Sequence, residues 1–187
     1  MKSVDKTIVQ PLEVFMIGTY DENGNPDVMN AAWGGQCGLK HITFNLAPIR
    51  KTLKNIEINK EFTVAFATKE VLEVADYFGL VSASKVEDKV EKAGVTISPA
   101  EKVNAPVVEE FPITLECKVL DIQEIVPGRI TVTGEIVNTL VQEKYVDENG
   151  NVDTESIEFI SYDGNARVYR VLGETVGKAF DVNNIFK

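Results

Sequence analysis

Residues 111–137 read FPITLECKVLDIQEIVPGRITVTGEIV. Phe111, Ile113, Leu115, Cys117 and Val119 occupy every second position, so their side chains line one face of a strand. After Pro127-Gly128, a turn signal, Ile130, Val132 and Ile136 resume the same period. Gly134 breaks that face and permits a bulge. No helical stripe separates the two runs, so the strict strand–helix alternation of a doubly wound sheet is absent after Phe111. Many strands of even spacing point instead to a mainly β chain with short helices, closed or split as a barrel.

The upstream half carries the helices that such a barrel inserts between strands. Glu13–Tyr20 reads as a strand, and Asp21-Glu22-Asn23-Gly24 as its turn, with Asn23-Gly24 suited to positive φ. Asp27–Cys37 returns as the partner, with Gly34-Gly35 marking a bulge or a close approach. His41–Leu46 forms a third strand. Ile49, Leu53 and Ile56 then fit helical spacing and predict a helix over about 51–59; Glu61–Thr68 returns to strand alternation. Val71, Val74, Ala75 and Phe78 make a second helical stripe stopped at Gly79. Ser84 with Glu87 reads as a capping box for a helix ending at Gly94. Ser98-Pro99-Ala100-Glu101 repeats that device with proline at the first helical position. Downstream, 147–151 repeats the DENGN turn of 21–25, and Phe159–Tyr162 and Ala166–Val171 are late strands. No linker or low-complexity segment divides the chain, which predicts one domain over residues 1–187.

The 187 residues are 44% hydrophobic and 26% charged, a globular composition, with a formal net charge of −10. That charge opposes nucleic acid and anionic membranes, which both require a basic face. No apolar run reaches the roughly 20 residues of a membrane span, and MKSVDKTIVQPLEV lacks a signal-peptide core, so a cytoplasmic protein is expected. Cys37 and Cys117, 80 positions apart, are expected to be reduced and packed. One histidine, His41, argues against a catalytic triad or a zinc site, and neither a GxGxxG nor a GxxxxGK[ST] sequence occurs. Catalytic side chains are therefore unassigned, and chemistry here would be borrowed from a cofactor.

Against the acidic background, NLAPIRKTLKNI (45–56) puts Arg50 and Lys51 beside Thr52 at a predicted helix start. Cations are unfavourable at that end of the dipole by roughly 0.3–1 kcal/mol each. Two readings are open: solvated loop cations, or an anion site. In the second, helix N–H groups and an Arg fork meet a phosphate, and Thr52 both caps and donates. Ser84-Lys85 repeats a hydroxyl with a cation, and Lys89 lies one turn on. In VMNAAWGG (28–35), Trp33 offers either a core or contact aromatic, or a surface for a flat ring beside small residues.

In order, PLEVFMIGTYDENGNPDVMNAAWGG, ITFNLAPIRKTLKNI, EFTVAFAT, ADYFGLVSASKVEDKVEKAG, FPITLECKV and GRITVTGEIV resemble the flavin-reductase-like, FMN-binding split-barrel family, particularly its flavoredoxin branch. The resemblance covers about Pro11 to Gly177. It implies a Greek-key split barrel, a homodimer and FMN near the subunit interface. It places Asn30, Ala31, Ala32 and Trp33 along the flavin ring, and Asn45, Leu46 and Ala47 in the same pocket. Arg50, Lys51 and Thr52, with Ser82, Ser84 and Lys89, would hold the phosphate. Flavin reductases of this kind often carry a histidine, associated with the nicotinamide partner, where this chain has Arg129. GLKHIT also lacks the prolines often seen before that strand. NAD(P)H as co-substrate and a redox-protein donor or partner both stay open, as does a barrel without flavin.

Overall fold

The computed structural model describes residues 1–180. The expected single domain over 1–187 extends past them at 181–187.

Short strand β1 (Leu12–Glu13) leads into the hairpin of β2 (Phe15–Tyr20) and β3 (Pro26–Ala31). The predicted 27–37 strand is in fact two, β3 and β4 (Gly34–Gly38), parted at Ala32-Trp33. β5 (His41–Leu46), α1 (Lys51–Asn59), β6 (Glu61–Phe66) and α2 (Leu72–Leu80) follow. After a one-turn α3 (Lys89–Lys92) come β7 (Ile97–Pro99), β8 (Pro106–Val108), and the ribbon of β9 (Ile113–Val126) and β10 (Arg129–Val141). β11 (Ile160–Asp163) and β12 (Val168–Val171) pair with each other and with β1.

The main sheet has seven strands in the order β3-β2-β6-β9-β10-β5-β4. Its pairings are antiparallel throughout. β3 and β4 stand at opposite ends of that order, yet only Ala32 and Trp33 join them. Three residue steps reach at most about 11 Å, so the sheet must curl until its ends meet. That is the split barrel. Gly34 faces Thr43 and Phe44 of β5 so closely that no side chain fits there; the register shift of β4 falls later, between Gln36 and Gly38. At Gly134 the ribbon shifts register as the sequence predicts. A Cβ there would meet the Phe62 ring at 2.5 Å.

One cluster fills the barrel, with Phe15, Ile17, Phe44, Phe62, Val64, Cys117 and Val132 among its members. A second lies outside it, where Val14, Met16, Val28 and Ala65 meet Ala75 and Phe78 of α2. β2 is thus buried on both faces. The face of β9 opposite the predicted apolar stripe is also buried: Thr114 and Glu116 are 3% and 0% exposed. Glu116 accepts hydrogen bonds from the backbone N–H groups of Glu101 and Lys102 at 2.9 and 2.6 Å and from Asn138 at 3.3 Å. This carboxylate pins the loop after β7. β7 itself overturns the predicted second capping device: Ser98-Pro99 pairs with β8 instead of starting a helix.

The capping box at Ser84 is also absent. Residues 82–89 form successive turns, with Lys85 and Val86 N–H groups donating to the Ser82 carbonyl, and the helix begins only at Lys89 without a side-chain cap. α2 runs on through Gly79, whose missing side chain accommodates Asn30. Cys117 is buried, which pushes its thiol up to about 12; Cys37 is exposed on β4 rather than packed. β9 outruns β6: their pairing stops at Lys118, with one further bond from the Val119 N–H to the Lys60 carbonyl. No helix among the described residues is long and apolar enough to cross a membrane.

Candidate functional site

α1 starts at the end of β5, after Pro48-Ile49, because Leu53 and Ile56 can enter the barrel core on helical spacing. Arg50 is its N-cap residue, extended in backbone, and no side chain caps the helix. No acid lies in the first turn. The N–H groups of that turn have no intrahelical acceptors, and the two cations stand beside them in sequence.

Lys51 and Thr52 are already engaged by acids of the β2–β3 hairpin. Lys51 Nζ lies 3.0 Å from Asp21 Oδ2. Burial would raise the Asp21 carboxyl, but the Asn25 and Asn23 N–H groups and the Lys51 ammonium outweigh it and hold the group down to about 2. Thr52 does not cap α1: its hydroxyl donates to Asp27 Oδ2 at 2.7 Å and is buried. Lys89, 2% exposed, sits 3.6 Å from Asp27 Oδ1 and donates to the Phe78 carbonyl at 3.3 Å, with its ammonium over the Phe78 ring. Lys89 therefore lies beneath the α1 start, not open to it. Asp27 Oδ1 has no hydrogen-bond donor among the described residues. Arg50 is exposed and makes no side-chain ion pair among the described residues.

A cleft of about 870 Å³ runs between α1 and residues 83–91, and Arg50, Lys51, Lys54 and Ser84 line it. Acids, including Glu22, Glu87 and Asp88, border the same cleft. Ser82 does not line it; the residue is half-buried, with its hydroxyl accepting weakly from the Ser84 N–H at 3.4 Å.

Of the ring-side residues, Trp33 and Asn45–Ala47 meet at the junction of β4 and β5. Trp33 is 52% exposed, and the Arg129 guanidinium lies over its ring at 4.6 Å. The Asn45 N–H donates to the Trp33 carbonyl at 2.8 Å, and the Asn45 side chain accepts from Thr131 at 2.7 Å. The Leu46 side chain is turned into the barrel core and presents only backbone to this junction. The Ala47 carbonyl receives the Arg50 N–H at 3.1 Å, linking the junction to the α1 start. Ala31 is half-buried. Asn30 and Ala32 face a separate cleft of about 380 Å³ with Gly79, Asp76 and Tyr169. There Tyr169 donates to Asp76 at 2.8 Å; burial and that carboxylate push the phenol up to about 12.

The sequence reading missed Asp27, Asp76 and Tyr169. Asp27, an acid in an otherwise apolar strand, carries the signal of a paired buried carboxylate. Asp76 and Tyr169 are 93 positions apart, so no local pattern joins them.

Residues 10–156 match the flavin reductase like domain, and the chain belongs to that family. Among solved structures it is similar to the flavoredoxin of Desulfovibrio vulgaris (Miyazaki F), with TM-score 0.90 and 31% identity over 98% of this chain and 100% of that one. It also resembles flavoredoxin from Methanosarcina acetivorans, with TM-score 0.88 and 22% identity over 100% and 98% of the two chains. An uncharacterized protein of Aquifex aeolicus (strain VF5) is 29% identical over 126 residues, 67% of this chain but only 63% of that protein.

Proposed function

We propose that this chain is an FMN-binding oxidoreductase that moves electrons from NAD(P)H or a redox protein to a flavin or small acceptor. The carrying observation is the start of α1, where Arg50 and Lys51 stand at a helix end that no side chain caps and whose first turn holds no acid. That donor set fits a phosphate monoester: Arg50 offers a fork, Lys51 a point charge, and the helix a favourable dipole. Family membership and the similarity to a flavoredoxin support the same ligand.

When bound, FMN would supply the redox chemistry. The chain's own residues would bind and orient it. Arg50 and Lys51 hold the phosphate, Ser84 borders it, and the backbone at Asn30–Trp33 and Asn45–Ala47 takes the ring edge. Arg129 keeps Trp33 covered from one side and offers its guanidinium to the phosphates of a nicotinamide dinucleotide. A second reading, an electron carrier without nicotinamide activity, is favoured by the −10 charge, which suits a basic protein partner. A homodimer belongs to the proposal too: Trp33, Leu39 and Leu120 are exposed apolar side chains that a second copy would cover.

The test is optical. The purified protein titrated with FMN should develop a bound-flavin spectrum; a protein that takes up no FMN would refute the reading. Stopped-flow bleaching of the flavin band by NADH or NADPH then separates the two versions, fast bleaching supporting the reductase and none the carrier.

A further inference from the structure

The floor under the α1 start is charged, which is unusual for a core position. Asp27 on β3 and Lys89 on α3 are each 2% exposed, and they face each other at 3.6 Å. Neither is fully satisfied by the other. Among the described residues Asp27 Oδ1 has no hydrogen-bond donor, and the Lys89 ammonium donates one hydrogen bond, to the Phe78 carbonyl. The other Asp27 oxygen holds the Thr52 hydroxyl in the first turn of α1. The charged groups facing Lys89 are Asp27 from β3 and, at the α1 start, Arg50 and Lys51. Burial pushes the ammonium below its ordinary range, Asp27 pulls it back up, and Arg50 and Lys51 push it down again.

We propose that the Asp27–Lys89 pair is a positioning device that sets the preference of the α1 site for a phosphorylated over an unphosphorylated flavin, acting from beneath through Thr52 and through charge balance. This rests on the FMN reading. With both present, the floor is neutral and Arg50 and Lys51 dominate the field at the helix start. Without Lys89, Asp27 becomes an uncompensated buried negative charge below an incoming phosphate. Neither residue lines the cleft, so neither needs to touch the ligand.

The experiment is calorimetric titration of wild type, Lys89→Met, Asp27→Asn and the double variant with FMN, riboflavin and inorganic phosphate. Lys89→Met should weaken FMN roughly tenfold more than riboflavin, the lower end of what one nearby charge does to a neighbouring ionic equilibrium. Adding Asp27→Asn should restore most of that preference, since the uncompensated charge is gone. Equal losses for FMN and riboflavin in Lys89→Met, or a double variant no better than the single, would overturn the inference. Should Lys89→Met not fold by thermal melt, Lys89→Gln carries the same comparison. If the wild type takes up neither flavin, the FMN reading fails by itself. Phosphate-induced shifts of the Lys51–Leu53 amides then decide: loss in Lys89→Met with recovery in the double variant supports the pair, and no wild-type response refutes it.

Discussion

Removal of the two cations at the α1 start gives the sharpest separation of ligand from scaffold. Arg50 makes no side-chain ion pair among the described residues, so Arg50→Ala removes whatever it gives to a phosphate and little else. A hydrogen bond to a charged group contributes about 1.5–3 kcal/mol, or roughly 10- to 150-fold in affinity. Lys51 is different. It shares its charge with Asp21 at 3.0 Å, and its removal leaves that carboxylate, 11% exposed, unpaired at the edge of the cleft. Lys51→Ala therefore subtracts an attraction and adds a repulsion. The double variant should lose about 3–5 kcal/mol of FMN binding, less than a simple sum because the two cations are neighbours. Riboflavin, lacking the phosphate, should lose almost nothing. Lys54→Ala, a cleft cation one turn past the helix start, should cost FMN clearly less than Arg50→Ala, because Lys54 gives a phosphate at that start no planar fork. Fluorescence titration of the three variants with both flavins at fixed ionic strength gives the answer. Equal loss for FMN and riboflavin, or a Lys54 effect as large as that of Arg50, would refute the phosphate argument.

Gly134→Ala should destabilise by about 1–3 kcal/mol, because the new methyl has only the Phe62 ring to displace; an unchanged thermal midpoint would show that the ribbon yields there. Glu116→Gln should weaken the clamp on Glu101 and Lys102 by about 1.5–3 kcal/mol in urea unfolding, with faster hydrogen exchange at those two amides; protected amides would contradict it. Asp21 is held at about 2 against its ordinary 3.8. A depressed carboxylate adds stability above the ordinary value and loses it as the pH falls toward 2. The melting difference between wild type and Asp21→Asn should therefore be largest near pH 7 and shrink below pH 4, and a constant difference would remove Asp21–Lys51 as its source.

The barrel was legible because its strands alternate in β-branched and aromatic residues and its turns carry Asn-Gly and Pro-Gly. The gap at Ala32-Trp33 was not, since small residues continue a strand as readily as they break one. Ser84 and Ser98 misled for a shared reason. A hydroxyl three residues before Glu describes a helix start only where the following segment can bury a helical stripe, and here 82–88 is spent on turns while Ile97 finds a strand partner in Val108. Arg50 and Lys51 were readable as an anomaly of charge at a helix end. Thr52 and Lys89 were readable as polar groups nearby, but not as partners of Asp27, because the hairpin that delivers that carboxylate lies 25 residues from Thr52.

The overhang of β9 beyond β6 has a consequence for handling the protein. From Leu120 to Val126 one rim of the ribbon presents bare amide and carbonyl groups among the described residues, beside the exposed side chains of Leu120, Ile125 and Val126. Such a rim is a template for another chain to zip onto. Asp121 and Glu124 are the gatekeepers spaced along it. As acidity approaches the isoelectric point of 4.7, the net negative charge that keeps copies of the chain apart falls toward zero. Turbidity should therefore rise first in mildly acidic buffer, and a lysine in place of Ile125 should delay it.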